Sequence, residues 1–214
     1  MIYAENVLLC IAVPLVISML FNGKIVRRFI ISFLTGMIVC LLSAYISGYL
    51  AVATVYGAED TSIFLSPIVE EIMKFLPVLF CLFVFEPSDE DLKMTAIGVG
   101  SGFATFENCC FILSSGAQNL GYILIRGSAV GVMHLVTMQA FVMGVRILKR
   151  YKVISLAGIM GALSMSMTFH GLYNLLVSKP GASSYIGYAL PIHFAILLYL
   201  IDHRSDSSGG EMNL

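Results

Sequence analysis

Carboxylates, imidazoles and one ammonium lie within long apolar stretches of this sequence. The stretch SPIVEEIMKFLP holds two adjacent acids, Glu70 and Glu71, together with Lys74. An ionisable group inside a bilayer costs on the order of a few kcal/mol, so such groups are expected where they pair or do chemistry. On a helix Lys74 is i+4 from Glu70 and i+3 from Glu71, and it therefore neutralises one of them. The other carboxylate remains available to take a proton from water, which is the task of a general base.

Further polar groups lie in three later apolar segments. They are Glu107 with Asn108, His134 with Gln139, and His170 with Asn174. His170 and Asn174 are i,i+4 and share a helix face, where an imidazole and an amide can donate hydrogen bonds to a developing oxyanion. Carboxylates, imidazoles and an amide in one set are the groups that a hydrolase needs.

The segments that must position these groups are hydrophobic helices. The chain of 214 residues is 58% hydrophobic and only 12% charged, whereas soluble domains average about a quarter charged. Its apolar residues form segments that can each cross roughly 30 Å of hydrocarbon. The segments are 4–22, 29–52, 62–85, 94–115, 121–148, 154–178 and 184–201. We therefore predict an all-α, polytopic transmembrane bundle of about seven helices.

The organisation that follows is a single transmembrane domain over residues 1–203, with the chemical motifs within 66–176. The polar residues 204–214 predict a disordered cytoplasmic tail. A net charge of −1 and the lack of a basic stripe predict no nucleic-acid partner. The expected surroundings are a lipid bilayer.

Lysine and arginine are distributed unequally along this topology. With the N-terminus outside, nine of them become cytoplasmic, and only Arg126 and Lys179 lie near the outer face. Basic residues concentrate on the cytoplasmic side, so we predict an outer N-terminus and a cytoplasmic C-terminus. At a rise of about 1.5 Å per residue, Glu70, Glu107 and His170 then lie roughly 12 Å below the outer boundary. His134 lies deeper, at about 19 Å, and the similar depths predict one shared site.

The same polar residues are also consistent with roles outside hydrolysis. A Glu–Lys pair can be a neutralised tie between helices, and Asn108 and Gln139 can hold helices together through hydrogen bonds. Buried acids and histidines also form proton relays, so a transporter or channel is an alternative function. No inverted repeat in the sequence supports that alternative.

Metal-assisted hydrolysis is a further alternative. Glu107, His134 and His170 suffice in type and number for a catalytic zinc ion with three protein ligands. The sequence contains no H-E-x-x-H motif, and the three residues would have to converge from three helices. The acid pair with H-x-x-x-N explains hydrolysis without a metal, and water activated by a glutamate is the preferred mechanism.

Four motifs of the chain resemble, in order, those of the PrsW family of intramembrane proteases. VEEIMKFLP resembles the EExxK motif, and GSGFATFENCCFIL resembles a glycine-rich approach to Phe-Glu-Asn. GVMHLVTMQAFVMG resembles the third motif, with one histidine, and FHGLYNLL resembles His-Gly-x-x-[Asp/Asn]. Together they cover residues 69–176, and Phe111 stands where the second motif commonly has tyrosine. More distantly, the acid pair and H-x-x-x-N resemble the CAAX prenyl endopeptidases and bacteriocin-immunity-type membrane proteins.

The resemblance implies an endopeptidase of the bacterial plasma membrane. Its substrate would be a single-pass membrane protein, typically an anti-sigma factor, cut at its extracytoplasmic side. Some members of the wider superfamily are non-catalytic subunits, so a scaffold of the same fold is another alternative.

The same resemblance implies roles for individual residues. Glu70 and Glu71 would be the acid pair, with Glu70 as the base, and His134 would assist the water or hold that base. His170 with Asn174 would stabilise the oxyanion. The supporting residues would be Lys74, Glu107 and Asn108.

Overall fold

The computed structural model of the protein describes residues 3–116, 119–150 and 156–210. Seven long helices fill these ranges, in which no strand occurs. They are α1 (Ala4–Ser18), α2 (Lys24–Ala53), α3 (Ser66–Phe85), α4 (Asp89–Ser115), α5 (Leu120–Arg150), α6 (Leu156–Ser178) and α7 (Ala182–Gly210). The predicted all-α bundle of about seven helices is confirmed. Helix α7 continues to Gly210, through the first part of the tail predicted over 204–214, and residues 211–214 lie outside the described ranges.

Five helical stretches in the described ranges are long and apolar enough to cross a membrane. They are Ala4–Phe21, Lys24–Ala53, Asp89–Ser115, Leu120–Arg146 and Ala182–Ile201. The protein is therefore a multi-pass membrane protein. Helices α3 and α6 are of similar length, 20 and 23 residues, but they carry the acid pair and the H-x-x-x-N motif. The predicted site residues thus lie on these two helices and on two of the five candidate spans, α4 and α5.

Helix α4 lies at the centre, between α2 and α5, because glycines let its backbone approach α2 closely. A Cβ added at Gly102 would lie 1.9 Å from the carbonyl oxygen of Phe33, and one at Gly36 would lie 2.1 Å from that of Val99. No side chain fits at such distances, so these positions require glycine. The close α2–α4 contact gives a rigid wall against which α3 and α5 place their polar residues.

A short helical lead-in precedes α3. Ala58–Asp60 forms a single helical turn, and Thr61–Leu65 continues it as a π-helical turn. Pro67 then lies in the first turn of α3, where its missing N–H breaks no helical hydrogen bond. The π-helical turn packs against α2, α3 and α6, and π turns often mark functional positions.

Basic residues gather at one end of the bundle, here called the basic end. Arg28 forms an ion pair with Asp91, and Arg146 Nε lies 3.3 Å from an Asp89 carboxylate oxygen. These pairs bring the starts of α2 and α4 and the end of α5 together, as the predicted topology requires. Lys152, one of the basic residues used for the orientation, lies outside the described residues, and the side of the membrane that the basic end faces stays a prediction.

Candidate active site

The two adjacent acids of α3 have different surroundings. Glu71 and Lys74 are fully buried, and Lys74 Nζ lies 2.7 Å from Glu71 Oε1. The Glu70 side chain is 17% exposed, and its Oε2 lies 3.6 Å from His170 Nε2. In the described part of the chain Glu70 forms no ion pair with a lysine or arginine. Lys74 therefore neutralises Glu71, one turn away at i,i+3, and leaves Glu70 without a fixed cation.

The ammonium of Lys74 has a partner for each of its N–H bonds. Besides Glu71, Nζ lies 2.9 Å from His134 Nδ1 and 3.1 Å from Thr137 Oγ1. An ammonium has three donors and no acceptor, so this coordination is complete. A buried cation held by one carboxylate and two neutral acceptors is stable where a lone one is not.

His170 is oriented by Glu71. Its Nδ1 lies 2.7 Å from Glu71 Oε1, and the side chain is 3% exposed. A carboxylate only accepts, so Nδ1 carries the proton and donates it. The other nitrogen, Nε2, consequently points towards Glu70. Glu71 Oε2 is buried and has no hydrogen-bond partner in the described part of the chain.

His134 has both ring nitrogens bonded. Its Nδ1 faces the Lys74 ammonium, and its Nε2 lies 2.5 Å from Glu107 Oε2. Because an ammonium only donates, Nδ1 accepts and Nε2–H donates to Glu107. The ring also packs between Phe103 and His170, with centroid distances of 4.7 and 5.1 Å.

Arg126 closes the network on its far side. Its Nη2 lies 3.3 Å from Glu107 Oε1, its Nη1 donates to Asn108 Oδ1 at 2.6 Å, and its guanidinium stacks 3.7 Å from the centre of the Phe111 ring. Asn108 in turn donates to the Gly127 carbonyl at 3.3 Å. Asn108 therefore joins α4 to α5 through hydrogen bonds.

These contacts form one continuous chain of polar groups across four helices. In order, it runs Arg126, Glu107, His134, Lys74, Glu71, His170 and Glu70. Cations and anions alternate along it as far as Glu71, and an imidazole lies between neighbouring charged groups at two points, the second of them between Glu71 and Glu70. The alternation makes burial tolerable, since every charge except that of Glu70 lies beside an opposite charge. The residues predicted on four separate segments thus do meet.

Three other polar residues of the helices lie at the margin of this chain or away from it. Asn174 is one helical turn beyond His170, and its Nδ2 donates to the Ser62 carbonyl at 3.0 Å, in the π-helical turn before α3. Gln139 lines a separate cavity between α5 and α7. His193 bonds to the carbonyl of Ala189 in its own helix.

Arg126, Thr137 and Phe103 belong to the site but were not predicted from the sequence to do so. Arg126 and Thr137 lie eight residues before and three residues after His134, and these spacings place them on the same face of α5. Phe103 lies four residues before Glu107 on α4 and packs against His134. Helical spacing from the predicted residues would have found all three.

The candidate metal ligands differ in one member from the predicted set of Glu107, His134 and His170. In the described part of the chain, ligand atoms of Glu70, His134 and His170 lie within 4.8 Å of one another. Glu70 takes the place of Glu107, whose carboxylate is engaged by Arg126 and His134. Two imidazoles and a carboxylate are a ligand set of catalytic zinc.

The hydrogen bonds of this set suit a metal only in part. A metal-bound imidazole presents one bare nitrogen and donates its other N–H to an acceptor. His170 meets that condition, because Nδ1–H donates to Glu71 and Nε2 is directed at Glu70. His134 does not, because its Nδ1 faces an ammonium and its Nε2 a carboxylate. The residues match zinc in kind, but their arrangement does not fit it unless Lys74 or Glu107 is displaced.

Comparison with families of known proteins gives one match. Residues 25–201 match the family model described as PrsW family intramembrane metalloprotease, and the match covers most of the chain. No curated protein and no solved structure matches the chain.

Proposed function

The chain belongs to the PrsW family of intramembrane metalloproteases, and from this premise we propose that it cuts a single-pass membrane protein with water activated by Glu70. Membership of the family makes the protein an intramembrane peptidase with a membrane-protein substrate. The substrate class and the mechanism are the proposal, and we take an anti-sigma factor as the substrate. The cut lies near the extracytoplasmic boundary, where the predicted topology puts Glu70.

The observation that carries the proposal is the asymmetry of the acid pair. Glu71 is fully buried, paired with Lys74 and hydrogen-bonded to His170. Glu70 is partly exposed and faces His170 Nε2, with no lysine or arginine paired to it among the described residues. A carboxylate that is partly accessible and has no permanent ion pair is suited to accept a proton from water. This supports Glu70, and not Glu71, as the base.

The proposed reaction requires one proton more than the polar chain carries when Glu70, Glu71 and Glu107 are ionised and both histidines are neutral. The polar chain contains the carboxylates of Glu70, Glu71 and Glu107 against the cations of Lys74 and Arg126, so one further proton balances its charge. Placed on His170 Nε2, that proton makes the imidazole a donor at both nitrogens, one to Glu71 and one to the substrate.

Hydrolysis then proceeds without any other co-reactant. Glu70 takes a proton from water as the water oxygen attacks the scissile carbonyl carbon. The new oxyanion accepts a hydrogen bond from His170 Nε2–H. When the C–N bond breaks, Glu70 returns its proton to the leaving amine. Lys74 and His134 touch no reacting atom and act by holding Glu71 and His170 in place.

The metal-free mechanism is preferred because of His134. The family description names a metalloprotease, but the partners of His134 are a cation and a hydrogen-bonded carboxylate. No step of the proposed reaction therefore uses a metal.

The decisive experiment is co-expression with single-pass candidate substrates, followed by assay in proteoliposomes. Glu70→Gln keeps the shape of the side chain and removes the base, so cleavage should fall about 10²–10⁴-fold. His193→Ala is the matched control, since that ring bonds only within α7 in the described structure. Cleavage at the wild-type rate by Glu70→Gln would refute Glu70 as the base.

Elemental analysis of the purified, active protein tests the absence of a metal. We expect less than stoichiometric zinc and full activity in the presence of a chelator. One equivalent of zinc, with activity lost to the chelator and restored by zinc, would overturn the glutamate mechanism and leave the peptidase assignment in place.

Single-cysteine labelling tests the orientation on which the position of the cut depends. In a variant without native cysteines, a cysteine at position 116 should react with an impermeant reagent from outside. A cysteine at position 151 should react only after the membrane is breached. The opposite pattern would move the proposed cut to the cytoplasmic side.

A further inference from the structure

A second feature lies at the basic end, away from the polar chain. A cavity of about 540 Å³ opens between α2, α3 and α4, lined at its mouth by Lys24, Arg27 and Arg28. Its side walls include Ile31, Phe80 and Phe85, and each of these side chains is more than half exposed. In a multi-pass protein, exposed aliphatic and aromatic side chains of spanning helices face lipid, so the cavity opens towards the bilayer.

The mouth of the cavity carries uncompensated positive charge. Arg28 is paired with Asp91, and Arg27 donates its Nε to the carbonyl of Met19 at 2.7 Å, which leaves its charge unneutralised. Among the described residues neither Lys24 nor Arg27 forms an ion pair, and no carboxylate lines the cavity. The ligand that complements this mouth is an anion.

Of the three hydroxyl groups that line the cavity, two are bonded within their own helices, and the third is that of Ser32. Thr35 donates its hydroxyl to the Ile31 carbonyl at 2.8 Å, and Thr95 donates to the Asp91 carbonyl at 2.9 Å. Both hydroxyls are thus satisfied within their own helices. Neither of these two hydroxyls has a proton left to donate to a ligand. The wall therefore suits a hydrocarbon chain better than a polar ligand.

The length of the cavity matches one leaflet of a bilayer. From Lys24 to Thr35, both of which line it, α2 rises roughly 16 Å at about 1.5 Å per residue. Half of the hydrocarbon core measures about 15 Å. A ligand with its anionic group at the mouth would therefore extend an apolar chain to about the middle of the membrane.

We propose that this cavity binds an anionic phospholipid. Its phosphate lies between Lys24, Arg27 and Arg28, and one acyl chain lies between α2 and α3. A soluble anion would use the mouth alone, whereas the lipid also fills the apolar length of the cavity. The site is separate from the polar chain and does not depend on the proposed function.

Lipid retention measured by native mass spectrometry tests the proposal. Wild-type protein from nanodiscs of phosphatidylcholine with phosphatidylglycerol should keep phosphatidylglycerol selectively, and added phosphatidylglycerol should raise its unfolding temperature in micelles. Removal of one basic side chain near the surface costs about a fivefold loss of affinity. Lys24→Gln should therefore lower retention about fivefold, and Lys24→Gln/Arg27→Gln more. Lys179→Gln, an exposed lysine after α6, is the matched control and should change nothing.

A second variant keeps every charge and fills the cavity. Ile31→Trp enlarges an exposed wall residue, so it should lower phosphatidylglycerol retention while the protein stays folded in phosphatidylcholine. Equal retention of both lipids by the wild type, or unchanged retention by both Lys24→Gln/Arg27→Gln and Ile31→Trp, would overturn the proposal. An equal thermal shift with inorganic phosphate alone would also overturn it, by reducing the site to one for a free anion.

Discussion

His170 and His134 lie 5.1 Å apart, centroid to centroid, yet the groups around them differ. His170 has a carboxylate on Nδ1 and presents Nε2 to a second carboxylate that has no cation of its own. His134 has an ammonium on Nδ1 and a carboxylate, itself held by Arg126, on Nε2. His170 therefore has one ring nitrogen available to a reacting group, whereas both ring nitrogens of His134 are engaged in structural hydrogen bonds. Residue type does not separate the two, but their hydrogen-bond partners do.

The largest expected effect separates these histidines directly. His170→Ala removes the proposed oxyanion donor, and kcat should fall about 10²–10³-fold with little change in KM and a smaller fall in unfolding temperature than in His134→Ala. His134→Ala removes one hydrogen-bond partner from each of two charged groups, Lys74 and Glu107, so it should chiefly lower the unfolding temperature. Steady-state cleavage and thermal unfolding in the same micelles measure both. Equal loss of kcat without destabilisation in both variants would remove the distinction.

The next effect tests the internal ion pair that fixes His170. Lys74→Met leaves the Glu71 carboxylate buried without its cation, and breaking a buried pair in this way costs about 3–5 kcal/mol. Lys74→Met/Glu71→Gln removes both charges and should recover part of that loss. Unfolding free energies of the single and double variants give the comparison. If Lys74→Met is as stable as the wild type, the Lys74–Glu71 pair does not stabilise the site.

A smaller effect is expected at the far end of the polar chain. Arg126→Gln removes the charged hydrogen bond to Glu107, and bonds of this kind contribute about 1.5–3 kcal/mol. The unfolding temperature should fall, and kcat should fall less than in His170→Ala, because Arg126 acts only through Glu107 and His134. Arg126→Lys keeps the charge but lacks the planar fork that reaches Glu107 and Asn108 together, so it should restore part of the stability. If Arg126→Lys is no more stable than Arg126→Gln, a positive charge alone does not stabilise Glu107.

The sequence predicted which residues lie in this site better than it predicted which of them contact one another. Helical spacing placed Lys74 beside the acid pair, but both i,i+3 and i,i+4 partners are in reach. Only the rotation of α3 against α5 decides that Lys74 contacts Glu71 and His134. The sequence predicts Arg126 near the outer face. It does not show that the long side chain of Arg126 turns back into the bundle and reaches Glu107. Contacts between helices depend on how each helix is rotated as well as on depth, and the sequence pattern of one helix does not give its rotation against another.

Asn174 is the position at which the sequence and the structure predict effects of different magnitude. As an oxyanion donor, which the sequence predicts, its removal would cost about 10²–10³-fold in kcat. Its Nδ2 instead donates to the Ser62 carbonyl at 3.0 Å, and a neutral hydrogen bond of this kind contributes about 0.5–1.5 kcal/mol. We therefore expect Asn174→Ala to cost no more than about tenfold, chiefly in KM, because the π-helical turn over the site loosens. Gln139→Ala, in the separate cavity, is the control. A hundredfold fall in kcat at unchanged KM would instead support Asn174 as an oxyanion donor. Its hydrogen bond to Ser62 would then be a contact that the substrate displaces.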